Sequence, residues 1–135
     1  MQTEFTIATC GPGLYEFTFE VARWVQGTGV LTLFVRHSSC SLLVQENADP
    51  DMRADLQDFL ERLAPPADHP SMRWLRHVAE GPDDMPAHIR AALLPVSLSI
   101  PVTQGRMALG TWQGLYLVEH REAPRSRRVA AHLSR

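Results

Sequence analysis

The spacing of apolar positions divides the chain into strands and helices with few ambiguous stretches. TEFTIAT alternates polar and apolar residues with the period of two expected of a half-buried strand, and CGPG then breaks it, which predicts a strand over residues 3 to 9. A short helix follows, with Thr18 as its cap, Phe19, Val21, Ala22 and Val25 on its apolar face and Gly27 as its stop. GVLTLFVRH is rich in β-branched and aromatic residues and puts Leu31, Leu33, Val35 and His37 on one face of a strand. SLLVQE reads as the next strand.

Asp49-Pro50 is a helix-start signal, because a carboxylate can cap the first turn and proline fits where no backbone donor is needed. The helix it opens carries Met52, Leu56, Phe59, Leu60 and Leu63 at helical spacing, a face suited to covering a sheet. PPADHP is a loop, Ser71 to Glu80 is weakly helical, and DMPAHIRAALL restarts a helix with Asp83 or Asp84 as cap and Pro86 in the first turn. VSLSIPV and RMALGTW flank Gln104-Gly105, a tight hairpin turn, and GLYLVEH and RRVAAHL complete the strands. Strands that follow one another, instead of alternating with helices, predict an α+β sandwich in which helices cover a mostly antiparallel or mixed sheet.

Composition supports one domain over residues 1 to 135, since 44% of the chain is hydrophobic and a chain of this length can bury a core of its own. A formal net charge of −2 excludes a general basic surface for nucleic acid or anionic lipid, leaving a small metabolite or another protein as the expected partner. The N-terminus lacks a basic segment followed by an apolar run, and no apolar stretch is long enough to span a bilayer, so a cytoplasmic protein without membrane contact is expected. Cys10 and Cys40 share no metal or redox spacing and are expected to be reduced thiols.

The candidate chemistry concentrates in HVAEGPDDMPAHI, residues 77 to 89, where histidines and carboxylates replace the apolar residues of a core segment. His77 and His88 lie there, while His37 and His120 close strands. Three imidazoles, His77, His88 and His120, meet the ligand count of an open catalytic zinc site, although their spacing matches no local zinc signature. Alternation along GLYLVEH separates Glu119 from His120, so the two need different partners. Asp49, Asp83 and Asp84 are cap candidates, whereas Glu80 and Glu119 have no capping role. Ser38 and Ser39 beside His37 form no GxSxG elbow. Arg121, Arg127 and Arg128 offer guanidinium groups for a phosphate or carboxylate, Arg125 is expected to be solvated, and Trp112 to pack in the core.

HSSCSLLVQENADPD, HVAEGPDDMPAHIRAALL, GRMALGTWQGLYLVEHR and SRRVAAHL, in that order, closely resemble the YjbQ family, whose members are often labelled secondary thiamine-phosphate synthases. The similarity runs from about Thr32 to Leu133. It implies a compact α+β sandwich assembled as a homotrimer, with a polar pocket to which His37, Asn47, Asp49, His77, Glu80, Asp83, Asp84, His88, Gly110, Trp112, Gln113, Glu119, His120 and Arg121 contribute. Ser39-Cys40 and the proline-rich loop before Trp74 depart from the usual pattern without removing a candidate ligand.

Together these readings predict His37, Asn47, Asp49, Glu80 and Glu119 as catalytic. They make Ser38, Trp112, Gln113, Arg121, Arg127 and Arg128 substrate contacts, and His77, His88 and His120 metal ligands. The reaction implied by the resemblance joins a pyrimidine diphosphate to a thiazole phosphate with loss of pyrophosphate. A chain this short cannot build the roughly 250-residue (β/α)₈ barrel of the standard enzyme. Histidines favour zinc or another transition ion, pyrophosphate departure favours magnesium, and hydrolysis by metal-activated water suits the residues better. A non-catalytic trimer that binds a metal or metabolite is the alternative class.

Overall fold

A computed structural model describes residues 1–135. In chain order the elements are β1 (Gln2–Thr9), β2 (Gly13–Glu16), α1 (Thr18–Trp24), β3 (Gly29–Val35), β4 (Cys40–Glu46), α2 (Pro50–Leu63), a 3₁₀ turn (Pro70–Met72), α3 (Asp84–Leu93), β5 (Ser97–Thr103), β6 (Arg106–Met107), β7 (Gln113–Glu119) and β8 (Arg125–Ser134). A five-stranded sheet in the order β1-β8-β3-β5-β6 faces a three-stranded sheet in the order β2-β7-β4, and every pairing is antiparallel. This is the α+β sandwich that the runs of consecutive strands predict. No helix is long and apolar enough to cross a membrane.

Period-two alternation builds the core. Leu31, Leu33 and Val35 of β3, Val129, Ala131 and Leu133 of β8, and Ile100 and Val102 of β5 meet Leu115 and Leu117 of β7 and Leu42 of β4, with Val21 and Val25 closing one side. β7 is buried on both faces. Its alternate residues Tyr116 and Val118, and His120 just past its end, lie outside that core cluster yet are buried, and α2 packs against β2 while α3 packs against β4. Arg90 of α3 ties the two helices together by donating to the carbonyls of Leu60 and Ala64.

Asp49 caps α2 as expected, accepting from Asp51 N at 2.9 Å. Gln104 (φ 50°) and Gly105 (φ 77°) form the turn between β5 and β6, two consecutive positive φ values that suit a primed hairpin turn.

Other local expectations need correction. Thr18 does not cap α1, because its hydroxyl donates to Glu16 and accepts from Leu115 N, tying the helix start to β7. The face expected to bury α2 is largely open, with Phe59 and Leu63 exposed and Leu60 alone buried within the helix. Residues 71–80 form no helix beyond the 3₁₀ turn, since Pro70 starts a segment with no sustained apolar period and Gly81 (φ 102°) ends it. RMALGTW pairs only through Arg106–Met107, and its Trp112 is exposed instead of packed in the core. Strand β2 has no strong period of its own and exists because β7 supplies its partner.

Candidate metal centre

Helix α3 begins at Asp84 and presents Asp84 and His88, four residues apart, on one face. The irregular segment before it brings His77 onto the same spot. His77 Nε2 lies 2.9 Å from Asp84 Oδ2 and 2.9 Å from Glu80 Oε2, and His88 Nε2 lies 3.4 Å from Asp84 Oδ1. Single donor atoms of His77, Asp84 and His88 all fall within 4.8 Å of one another. The other nitrogen of His88, Nδ1, sits 3.0 Å from the carbonyl of Ser38. A carbonyl can only accept, so that contact places a proton on Nδ1 and turns Nε2 toward Asp84.

Asp84 is 2% exposed and does not cap its helix. Both neighbouring aspartates instead engage Arg121, whose Nη1 donates to Asp84 Oδ1 at 2.6 Å and whose Nε donates to Asp83 Oδ2 at 2.9 Å. Burial by itself would raise the Asp84 pKa, but the charges of His88 and Arg121 outweigh it and hold the group below the usual carboxylate range. Asp83 is likewise held low, its burial opposed by hydrogen bonds from Arg121 and the Glu122 amide. The result is an ionised, buried carboxylate flanked by two imidazoles, with the exposed Glu80 at the rim. Those donors suit a divalent ion with three protein ligands and an open coordination position.

The expected trio of histidines is therefore corrected: Asp84 stands with His77 and His88, and His120 stands elsewhere. Alternation along β7 turns His120 away from the main core, where its Nε2 lies 2.9 Å from Ser41 Oγ. It lines a cavity of about 190 Å³ with Glu61, Asp83, Arg90 and Glu122.

Glu119 does not reach the cluster as a base. Its carboxylate is fully buried and accepts from Arg127 Nε and Nη2, Thr9 Oγ1 and the amides of His120 and Arg121. Burial pushes its pKa up, and the Arg127 and Thr9 bonds more than offset this. Arg127 is spent on the same pair and on Ser39, so neither it nor Arg121 is a free anion clamp. Arg128 keeps an exposed side chain, and its amide donates to His37 Nε2 at 2.9 Å. Burial, then the charges of Arg127, Arg128 and Arg36, lower the His37 pKa against the raising effect of Glu119. Ser38 touches the centre only through its carbonyl.

Asn47, Asp49, Trp112 and Gln113 lie at the far end of the small sheet. Asn47 Nδ2 donates to Glu16, Gln113 Oε1 accepts from Gly110 N, and Asp49 caps α2. Glu46 pairs with Gln113 and Cys40 with Glu119, so six strand residues, about 20 Å, separate that end from Glu119. These residues are not brought to the histidines within one chain. Asp84 as a candidate ligand had a signal in the sequence, its i,i+4 spacing from His88 just after a cap, but the capping explanation obscured it. Cys40 is buried, which pushes its thiol up to about 12 and makes it inert, while Cys10 is exposed and both are free.

His120 makes a pH prediction. Burial, with the Arg90 charge, lowers its pKa to about 4. The unfolded chain therefore binds a proton at His120 between about pH 6.5 and pH 4 that the folded chain does not, so this contribution is full above pH 6.5 and is lost as pH falls. Between pH 7 and pH 5 the loss is about 2 kcal/mol. Urea denaturation at both values should show this difference between the parent and His120→Gln, and equal pH slopes in the two proteins would refute it.

A family model described as UPF0047 protein YjbQ-like matches residues 3–135. A UPF0047 protein of Synechocystis sp. is 48% identical over 137 residues, covering 98% of this chain and 90% of its own length. The UPF0047 protein YjbQ of Escherichia coli O157:H7 is 44% identical, covering 98% and 96%. Among solved structures, a conserved hypothetical protein from Thermus thermophilus superposes with a TM-score of 0.86 at 36% identity, covering 98% of this chain and 99% of that one. An uncharacterised yjbq/upf0047 family protein from Clostridium acetobutylicum does so at 0.84 and 28% identity, covering 98% and 99%.

Proposed function

The chain belongs to the UPF0047 YjbQ-like family, and from that premise we propose that it is a metal-dependent enzyme acting on a small phosphorylated or otherwise anionic metabolite, with His77, Asp84 and His88 as the ligands. The observation that carries this reading is the convergence of three donor atoms within 4.8 Å around a carboxylate that is 2% exposed. Two imidazoles and one carboxylate favour zinc or another transition ion over magnesium, which prefers an oxygen shell. That preference favours hydrolysis over the pyrophosphate-releasing transfer implied by the label secondary thiamine-phosphate synthase.

His77, Asp84 and His88 would hold a divalent ion, which when bound would supply Lewis acidity toward a phosphoryl or carbonyl oxygen and toward water near neutral pH. The protein groups have separable tasks. Ser38 holds the His88 tautomer through its carbonyl, Arg121 orients Asp84, and Glu80, exposed and beside His77, accepts a proton as general base. Homotrimeric assembly belongs to the same proposal, because Phe59, Leu63, Leu93 and Val96 are exposed apolar side chains that a partner would cover.

Elemental analysis of protein purified without an affinity tag, followed by zinc titration, tests the reading. One transition ion per chain is expected for the parent and for His69→Ala, since His69 bonds Ser71 away from the cluster. His88→Ala should bind zinc more than about 100-fold more weakly, because losing a direct ligand exceeds the cost of losing a supporting hydrogen bond. No zinc affinity in the parent, or equal affinity in both variants, sinks the centre. Light scattering on the same sample should give three times the 15.1 kDa chain mass.

A further inference from the structure

We propose that the groove beside His77, walled by Trp74, Leu75 and Met85, binds a flat aromatic portion of the substrate whose acidic group is held at the His77–Asp84–His88 centre. The assignment rests on the metal centre proposed above and adds the chemical class of what it acts on. Three observations lead to it. First, the groove of about 400 Å³ shares His77 as a wall with the ligand cluster, so a molecule seated in it reaches the cluster. Met85 follows Asp84 directly in α3, which extends the apolar wall from the ligand itself.

Second, Trp74 is 67% exposed, yet its indole is oriented: Nε1 donates to the carbonyl of Ser71 at 3.0 Å, and the segment is pinned beneath by buried Met72, whose carbonyl accepts from Leu75 N. An indole held by its polar edge with its ring face uncovered is a stacking wall that needs no reorganisation on binding. Third, the other cavities at this end have no aromatic wall: the one between Ala67 and Val78 is apolar but carries no aromatic ring. The one beside His120 and the one beside His69 are lined by prolines and polar or charged side chains. Arg76 lines the same groove as Trp74 and offers a cation to an anionic substituent on the ring.

The test uses two zinc-binding probes that differ only in the group carried past the metal, benzohydroxamate and acetohydroxamate, titrated into zinc-loaded protein by calorimetry. The parent should prefer benzohydroxamate by about tenfold, the size expected when one ring stacks and leaves water. In Trp74→Ala that preference should fall below about threefold with acetohydroxamate affinity and zinc content unchanged, and Trp74→Phe should keep most of it. Equal preference in the parent and in Trp74→Ala overturns the groove while leaving the metal centre standing. Binding of neither hydroxamate by zinc-loaded parent overturns both. If Trp74→Ala instead lowers the mass seen by light scattering and leaves the preference unchanged, the indole is covered by a second copy of the chain, and the assignment to substrate is wrong.

Discussion

Replacing Arg127 with methionine should destabilise the protein by about 3–5 kcal/mol, a large share of the stability of a domain this size. Arg127 Nη2 lies 2.6 Å and Nε 2.8 Å from the two oxygens of Glu119, and both residues are buried. The pair as a whole need not be strongly stabilising, because taking two charges out of water costs nearly what their attraction returns. Removing one partner is different. Methionine fills most of the volume but leaves an uncompensated carboxylate with only Thr9 and two backbone amides as donors. The remaining escape is protonation of Glu119, so the penalty should shrink as pH falls. Urea denaturation at neutral pH measures the cost, and Arg127→Met/Glu119→Gln should recover part of it. A loss below about 1 kcal/mol in the single variant would show that the pair is not the anchor joining β7 to β8.

Arg121→Gln is the second large effect, about 2–3 kcal/mol in metal-free protein, because Asp84 then keeps a buried negative charge beside Asp83 with no guanidinium to offset either. Arg121→Lys should recover little, since an ammonium cannot donate to both aspartates with the planar geometry of the Nε and Nη1 pair. Zinc should raise the melting temperature of Arg121→Gln more than that of the parent, since a cation at Asp84 replaces the charge removed. Inorganic phosphate binding should be the same in both proteins. A stable Arg121→Gln that has lost phosphate affinity would restore Arg121 as a substrate clamp and refute its role as a support for Asp83 and Asp84.

Much of the architecture was legible because it depends on periods that a single chain carries. Phe5 and Ile7 in β1, Leu31 to Val35 in β3 and Val129 to Leu133 in β8 declare their faces by alternation, and Asp49-Pro50 announces α2 through local capping chemistry. Local signals fail where a partner decides. Thr18 looks like a cap but serves β7, Asp83 and Asp84 look like caps but serve Arg121, and β2 forms only because β7 runs beside it.

The candidate site divides along the same line. Sequence alone located the stretch holding His77, Glu80, Asp84 and His88, since a polar run with two histidines and no core period has few structural uses, and it placed Glu119 and His120 on opposite faces of one strand. Only the tertiary structure decided which of these side chains meet. The i,i+4 geometry of α3 joins Asp84 to His88, while alternation at the end of β7 sends the buried His120 to Ser41. Burial decided which charges are withdrawn from solvent: Arg127 and Glu119 neutralise each other inside the sandwich, whereas Glu80, beside His77, stays exposed, as does the uncharged Trp74. Pairing across dozens of residues has no local period, and a charge's freedom to act depends on the partners that folding supplies.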